Sequence, residues 1–332
     1  MKHEKKRKIR VAVLCGGSSS EREVSIRTGH QVTKALPADR YVVSTVSIDE
    51  NGAWFFESGT ERQSIEPKQL SQKTDVVFIA LHGKFGEDGT VQGILEEIGV
   101  PYTGSGVSAS ELGMDKAKCS EKMKQAGIPI PDFFLARKGS DSAETLLEKA
   151  RQSLRFPFVV KPNASGSSVG VSIVHSAQDF PGALLKAWDE DDTILIQRYI
   201  SGREYSCGIL GNTGKTKLEA LPVIEIKPKT SEFFDYTAKY TPNASKEICP
   251  APLSEALTNR IQEFALRAHT ALGCEGLTRS DFLIDSDGNV FFLEINTIPG
   301  QTETSLCPQE ALVAGMTFSA FLEKQVELAF SK

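Results

Sequence analysis

The sequence has little of what a zinc site or a disulfide framework would need. Its six cysteines (Cys15, Cys119, Cys207, Cys249, Cys274, Cys307) are scattered without a C-x-x-C pair, and its five histidines are equally dispersed. That usage suits free thiols in a reducing compartment. No window approaches the ~20 consecutive apolar residues of a membrane-spanning helix. A net charge of −5 gives no reason to expect nucleic acid or an anionic membrane as a partner. The one basic run, Lys2 to Arg10, is followed only by the short apolar VAVLC. A signal peptide needs an apolar region of ~7–15 residues, so the run reads as a solvated tail rather than an export signal or a nuclear address. The expectation is a cytoplasmic protein without membrane attachment. A phosphate-binding signature is missing as well. No G-x-G-x-x-G follows the first strand, which counts against a dinucleotide cofactor, and the Gly and Lys spacing in KPNASGSSVG is not that of a Walker A loop.

What is present describes a globular enzyme-sized chain. At 332 residues it exceeds the size at which one core usually keeps growing, so two or three domains are expected. The first hundred residues alternate strand and helix: IRVAVLCGG, SEREVSIRTGHQVTKAL, YVVSTVSID, DVVFIALHG, DGTVQGILEEIG. That order predicts a doubly wound parallel sheet, with ligands at the carboxyl ends of its strands. The character then changes to a helix over SASELGMDKAKCSEKMKQAG, followed by the hairpin FPFVVKPNASGSSVGVSIV. Two strands follow, broken by a Ser201-Gly202 turn, then an aromatic loop and a long helix at LSEALTNRIQEFALRAHTALG. The expected domains are 1–104, 105–198 and 199–332.

The segment DFLIDSDGNVFFLEIN, Asp281 to Asn296, is the most informative. Asp-Gly between two apolar runs is a strong hairpin signal. With Asp287-Gly288 as a two-residue turn, Asp281 falls opposite Glu294, and Asn296 shares their face. Like charges directly opposite one another destabilise a strand pair. A divalent cation between them removes the conflict. Mg²⁺ takes oxygen ligands and commonly combines one or two carboxylates with substrate phosphates. The alternative is a solvent-exposed face, made less attractive by Leu283 and Phe292, which this register places beside the acids.

Other segments carry weaker signals. Lys161 ends a strand before Gly166-Ser167-Ser168, offering a cation, backbone N–H groups and hydroxyls to a phosphate chain; a plain hairpin tip is the competing reading. Ser20 and Glu23 have capping-box spacing. Glu21, at the helix start, stands where a crevice would be and could hold an ammonium, although an acid at a helix N-terminus needs no ligand to explain it. His82, ending a buried strand, looks toward the same crevice. Lys239 and Tyr240 lie in an aromatic loop of lid-like length. Arg279 lies two residues before Asp281, beside the expected metal, where a guanidinium can stabilise an oxyanion. The Gly300 N–H and Ser305 hydroxyl are further donors.

The ordered set GGSSSEREVS, ALHGKFGEDGTVQG, PYTGSG, MDK, KPNASGSSVG, FFDYTAKY, TRSDF and LEINTIPG closely resembles the D-alanine–D-alanine ligase family of the ATP-grasp superfamily, from about Ile9 onward. The resemblance implies a two-domain ATP-grasp fold after the N-terminal sheet. It also implies ATP-dependent joining of two D-alanine molecules through an acyl phosphate, supplying peptidoglycan precursors, with sister ligases that accept D-serine or D-lactate as the alternative. By that resemblance Asp281, Glu294 and Asn296 hold Mg²⁺ (or Mn²⁺), and Lys116, Lys161, Ser168 and Lys239 contact phosphates. Glu204 takes the ribose, and Gln197 stands near the adenine amino group where the family usually has glutamate. Glu21, hydrogen-bonded to Ser167 and Tyr240, anchors the first ammonium, supported by His82. Arg279 and Gly300 serve the oxyanion, and Ser305 with the Leu306 N–H holds the second carboxylate. Tyr240 argues against D-lactate, since lactate-forming relatives generally carry His or Phe there. A homodimer is common among relatives.

Overall fold

The computed structural model describes residues 7–166, 168–229 and 244–332. Among these residues the strands form three sheets. The first has the order β4-β3-β2-β1-β5, built from β1 (Ile9–Gly16), β2 (Tyr41–Ile48), β3 (Trp54–Ser58), β4 (Glu61–Ile65) and β5 (Val76–Ile79). β1 pairs in parallel with β2 and β5, as the alternating pattern predicts. β3 and β4 add an antiparallel edge, so the sheet is mixed rather than wholly parallel. Their segment, WFFESGTERQSI, alternates too weakly to announce itself. Both faces of β1 are covered, which is why its apolar run is continuous. Val11, Val13 and Cys15 pack with Val32 of the Arg22–Ala35 helix and with Phe321, Leu322 and Val326 of the Phe318–Ala329 helix. Ala12 and Leu14 pack with Val91 and Leu95 of the Thr90–Glu97 helix.

The second sheet, β6-β9-β7-β8, is antiparallel and comprises β6 (Phe133–Arg137), β7 (Phe158–Pro162), β8 (Ser172–Val174) and β9 (Thr193–Arg198). Period-two alternation sorts its side chains. Phe158, Val160, Ile194 and Ile196 join the core under the Ala143–Ser153 and Phe180–Trp188 helices. Val159, Lys161 and Gln197 face the other way, into a cleft. β7 and β8 form the expected hairpin, with the Gly/Ser-rich segment at its tip.

The third sheet runs β13-β12-β10-β14-β15, with β11 also paired to β10. Its strands are β10 (Gly202–Leu210), β11 (Glu219–Ala220), β12 (Ile224–Pro228), β13 (Ser245–Ile248), β14 (Leu277–Asp285) and β15 (Val290–Asn296). One face packs on Ile261, Ala265 and Ala268 of the Glu255–Ala271 helix. β9 and β10 therefore belong to different sheets, and Ser201-Gly202 is a crossing between them rather than a hairpin turn. The stretch read as one helix over residues 108–127 is two, Val107–Met114 and Lys116–Gln125. Asp115 breaks them because its carboxylate caps the second helix, accepting from the Lys118 N–H at 3.0 Å.

Two expectations about local geometry are corrected. The hairpin does not turn on two residues: Asp285 closes against Asn289, with Gly288 left-handed at φ 82°. This three-residue loop shifts the inner register, so Phe282 faces Phe292 and Ile284 faces Val290. A bulge between Asp281 and Phe282 then restores the pairing of Asp281 with Glu294. The two irregularities cancel at the acids. They also move Phe292 to the opposite, core face, where it packs edge-on against Phe282 at 5.9 Å. Second, the Ser20–Glu23 capping box does not form. The helix starts one residue later, Glu21 is its N-cap residue without a side-chain cap bond, and Glu23 is exposed. Ser19 supplies the turn instead, accepting from the Glu21 N–H and donating to the His82 carbonyl.

Candidate active site

The cleft between the second and third sheets has a volume of ≈460 Å³, within the range of small-ligand sites. Lys116, Lys161, Ser168, Gln197, Glu204, Asp281 and Glu294 all line it, so the structure brings together seven of the residues singled out above. Leu283 and Leu293 supply apolar floor beside the acids, and Lys227 adds a cation that the sequence reading did not single out.

Two elements place the cations Lys116 and Lys161. Lys116 begins the helix capped by Asp115, and Asn163 locks that helix to the end of β7. The Asn163 amide donates to Asp115 at 3.1 Å, and its oxygen accepts from the Ala117 N–H at 3.0 Å. The Lys116 ammonium donates to the Ser165 carbonyl at 2.6 Å and stands 3.7 Å from Glu294. Lys161 is buried in the sheet face. Burial, with the nearby charge of Lys116, pushes its amine down to about 8, against the opposing pull of Glu294. Such a lysine is short of a counter-charge, and an anion entering the cleft would supply one.

Asp281 is 3% exposed and fully engaged. Arg279 grips it with both ends of the fork, Nε to Oδ1 at 2.9 Å and Nη2 to Oδ2 at 2.7 Å. The Ser206 hydroxyl donates to Oδ1, and the Asn296 amide to Oδ2 at 3.4 Å. Burial alone would lower the Arg279 pKa, but Asp281 more than offsets it, and the guanidinium stays charged. Ser206 was missed by the sequence reading; two residues beyond Glu204 on a strand, it shares the cleft face by simple alternation. Among the described residues no three His, Cys, Asp or Glu side chains gather as a metal cage. Two carboxylates and an amide are nonetheless the donor set of a hard cation that completes its shell with phosphate oxygens and water, so the residues present fit Mg²⁺.

A second group adjoins the cleft at the carboxyl ends of β1 and β5. Glu21 is buried there, hemmed in by two glycines: a Cβ on Gly83 would lie 2.5 Å, and one on Gly166 2.8 Å, from its Oε2. Gly166 belongs to the β7–β8 tip, so the tip reaches over the first sheet. His82 is enclosed between Thr28 (Nε2 to Oγ1, 3.0 Å), the Ile298 carbonyl (Nδ1, 3.2 Å) and Glu87 (3.6 Å). Burial favours its neutral form, but Glu87, Glu21 and the Ile298 carbonyl together outweigh it and raise the pKa. His82 thereby ties the first sheet to the loop after β15. That loop is also fixed through the Glu303 N–H, which donates to Gln31 at 2.9 Å. It carries Gly300, whose missing side chain leaves Ser305 Oγ 3.1 Å from where a Cβ would stand. Ser305 is the N-cap residue of the Leu306–Val313 helix without a side-chain cap bond, its hydroxyl accepting instead from the Thr302 N–H at 3.1 Å, and the Leu306 N–H lies at that helix start. Gly300, Ser305, Leu306, His82 and Glu21 do not line the nucleotide-sized cleft. Ser167, Lys239 and Tyr240 lie outside the described residues, as does most of the aromatic loop.

The comparisons with known proteins agree over the whole chain. The family described as D-ala D-ala ligase N-terminus matches residues 10–73 and 57–105, and D-ala D-ala ligase C-terminus matches residues 122–327. A D-alanine–D-alanine ligase of Syntrophobacter fumaroxidans is 44% identical over 324 residues, 97% of this chain and 98% of that protein. The VanG D-Ala:D-Ser ligase of Enterococcus faecalis superposes with a TM-score of 0.87 at 31% identity, covering 97% of this chain and 100% of its own. The D-alanine–D-alanine ligase of Bacillus anthracis complexed with ATP gives a TM-score of 0.77 at 31% identity, with 97% of each chain covered. A cleft lined by lysines and acids, the ordered motifs and full-length similarity all lead to one conclusion: the chain belongs to the D-alanine–D-alanine ligase family.

Proposed function

We infer that this chain joins two D-alanine molecules to D-alanyl-D-alanine at the expense of ATP. The observation that carries the reading is the convergence of Lys116, Lys161, Gln197, Glu204, Asp281 and Glu294 on one cleft that adjoins Arg279 and Glu21. In this reading the triphosphate lies between Lys116 and Lys161, with Lys239 as a third cation. Glu204 takes the ribose hydroxyls and Gln197 the adenine amino group. Asp281, Glu294 and Asn296 hold Mg²⁺, whose chemistry is to neutralise phosphate charge and orient the phosphates.

The free carboxylate of D-alanine is a poor acyl donor because its leaving group would be oxide. Transfer of the γ-phosphoryl group to one carboxylate oxygen breaks its bond to the β,γ-bridging oxygen, releases ADP and makes the carboxylate oxygen part of a good leaving group. The unprotonated amine of the second D-alanine then attacks the carbonyl carbon, the new C–N bond forms, the C–O bond to phosphate breaks, and the nitrogen's surplus proton leaves with the phosphate. The protein contributes position and charge. Glu21 holds the first ammonium, with Ser167, Tyr240 and His82 in support. Arg279 and the Gly300 N–H face the developing oxyanion; Ser305 and the Leu306 N–H hold the second carboxylate. The β7–β8 tip covers the site against water, which would hydrolyse the acyl phosphate; the loop over 228–245, expected to share that task, lies mostly outside the described residues. The working division is 1–104, 105–198 and 199–332, in a cytoplasmic homodimer.

The test is ATP-dependent phosphate release with D-alanine, set against L-alanine, D-serine and D-lactate, with product identified by mass. D-alanyl-D-alanine as the main product is expected. Because the VanG D-Ala:D-Ser ligase superposes well on this chain, the D-serine arm is needed: mixed dipeptide formed in preference to D-alanyl-D-alanine would replace the reading by the sister activity. Absence of any D-amino-acid-dependent phosphate release would end it.

A further inference from the structure

Behind Arg279 and Asp281 lies a third acid that the reaction above does not use. Glu310, on the Leu306–Val313 helix, is 0% exposed. Its Oε2 accepts from the Gly208 N–H at 2.8 Å, and its Oε1 is buried with no hydrogen-bond partner among the described residues. Gly208 sits opposite Arg279 in the β10–β14 ladder. On its other side β10 pairs with β12 up to Ser206 and with β11 from Ile209, so the Gly208 N–H falls at the gap between two partners. Glu310 fills that gap. The strand makes room for it, since a Cβ on residue 208 would lie 2.7 Å from Oε2.

The groups around this carboxyl are Arg279, Asp281 and the thiols of Cys207, Cys249 and Cys307. Burial raises all three thiols, so none is an anion near neutrality. Burial likewise pushes the Glu310 carboxyl up to about 8, against the Gly208 N–H and Arg279. A buried acid with one orphaned oxygen is a costly way to fill space if packing were its only role.

Its place on the helix suggests a second role. The helix starts at Ser305 and Leu306, and Glu310 lies four residues beyond Leu306, roughly 6 Å along the axis at ~1.5 Å per residue. The Glu310–Gly208 contact therefore pins that helix start to the strand beside Arg279. We propose that Glu310 is a positioning residue for the subsite of the second amino acid, holding Ser305 and the Leu306 N–H in register with Arg279. The proposal rests on the reading that these groups bind the second carboxylate.

The test separates positioning from packing by measuring KM for ATP and for the donor and acceptor D-alanine in Glu310→Gln, Glu310→Asp and Glu310→Ala. Gln keeps the acceptor oxygen and the length, so its constants stay within about threefold of wild type. Ala removes the contact, and a misplacement of ~1 Å can cost ~100-fold. The acceptor KM therefore rises tenfold or more, while the ATP and donor constants stay within about threefold. If Ala does not fold, Asp retracts the carboxyl by one methylene and gives the same selective rise. An unchanged acceptor KM in the shortened variants, an equal loss in all three constants, or failure of Gln to restore the acceptor constant overturns the proposal. Wild type is assayed alongside: if it makes no dipeptide, the proposed function fails first, and the fault is not with Glu310.

Discussion

Asp281 and Glu294 are given the same task, yet the structure treats them differently enough to pull stability and activity apart. The perturbation is Asp281→Asn set against Glu294→Gln. Asp281 is the buried anchor of Arg279 and also accepts from Ser206 and Asn296. Removing its charge leaves a guanidinium whose side chain is 13% exposed without its counter-ion. Breaking a buried pair from one side costs ~3–5 kcal/mol. Asparagine keeps one acceptor oxygen, so the lower end, about 3 kcal/mol, is expected. Glu294 is 27% exposed on its side chain, with Lys116 at the loose distance of 3.7 Å. Pairs of that kind contribute about 1 kcal/mol or less. Thermal unfolding without nucleotide is then expected to show a fall in Tm of roughly 5 °C or more for Asp281→Asn and only a degree or two for Glu294→Gln. Dipeptide formation is expected to fall about 100-fold or more in both, because under the proposed function each loses a charge that would hold Mg²⁺. A wild-type Tm for Asp281→Asn, or a larger loss in Glu294→Gln, would refute the account of the Arg279 grip. Near-normal turnover in Glu294→Gln would show that the hairpin is not the metal site.

Two further outcomes follow from the cleft. Lys161, held to about 8, is charged in the free enzyme below that pH and neutral above it. ATP affinity measured by calorimetry should therefore weaken as pH rises through 8 to 9.5, and Lys161→Met should be weak throughout without that slope; a flat wild-type profile would dismiss Lys161 as a phosphate contact. For stability the sign is opposite. Between about 8 and the ordinary 10.5 the unfolded chain holds the proton that the folded one has lost, so this group's contribution to stability rises with pH. Gly83→Ala combines a left-handed φ of 73° with a Cβ 2.5 Å from Glu21 Oε2. It is expected to raise the D-alanine KM more than tenfold while leaving ATP binding close to normal. An unaltered D-alanine KM would remove Glu21 from the amino-acid site.

The cleft was legible where a residue's role follows from its strand position. Lys161, Glu204, Asp281 and Glu294 all lie on strands whose alternation assigns them a face. The pairing of Asp281 with Glu294 was also legible, though by a route the structure revises. A two-residue turn without a bulge and a three-residue turn with one put the same acids opposite each other, yet they send Phe292 to different faces. Pattern alone cannot separate the two, because the inserted residue at the bulge and the added residue at the turn leave the outer register unchanged. The Ser20–Glu23 box failed for a different reason. Ser19 could take the turn by bonding to the His82 carbonyl, a group 63 residues away that local spacing does not see.

Sequence by itself determined the class of fold, the hairpin with its acids, the order of the motifs and the absence of dinucleotide, zinc and membrane signatures. Each depends on residues near one another in the chain. Tertiary structure alone decided what those segments meet. It put the Arg22–Ala35 and Phe318–Ala329 helices on one sheet face, the Gly166 tip against Glu21, and Glu310 in the gap beside Gly208. The reason is physical: burial, shared counter-charges and the space left by a missing Cβ are properties of surroundings assembled from distant parts of the chain. No single segment contains them.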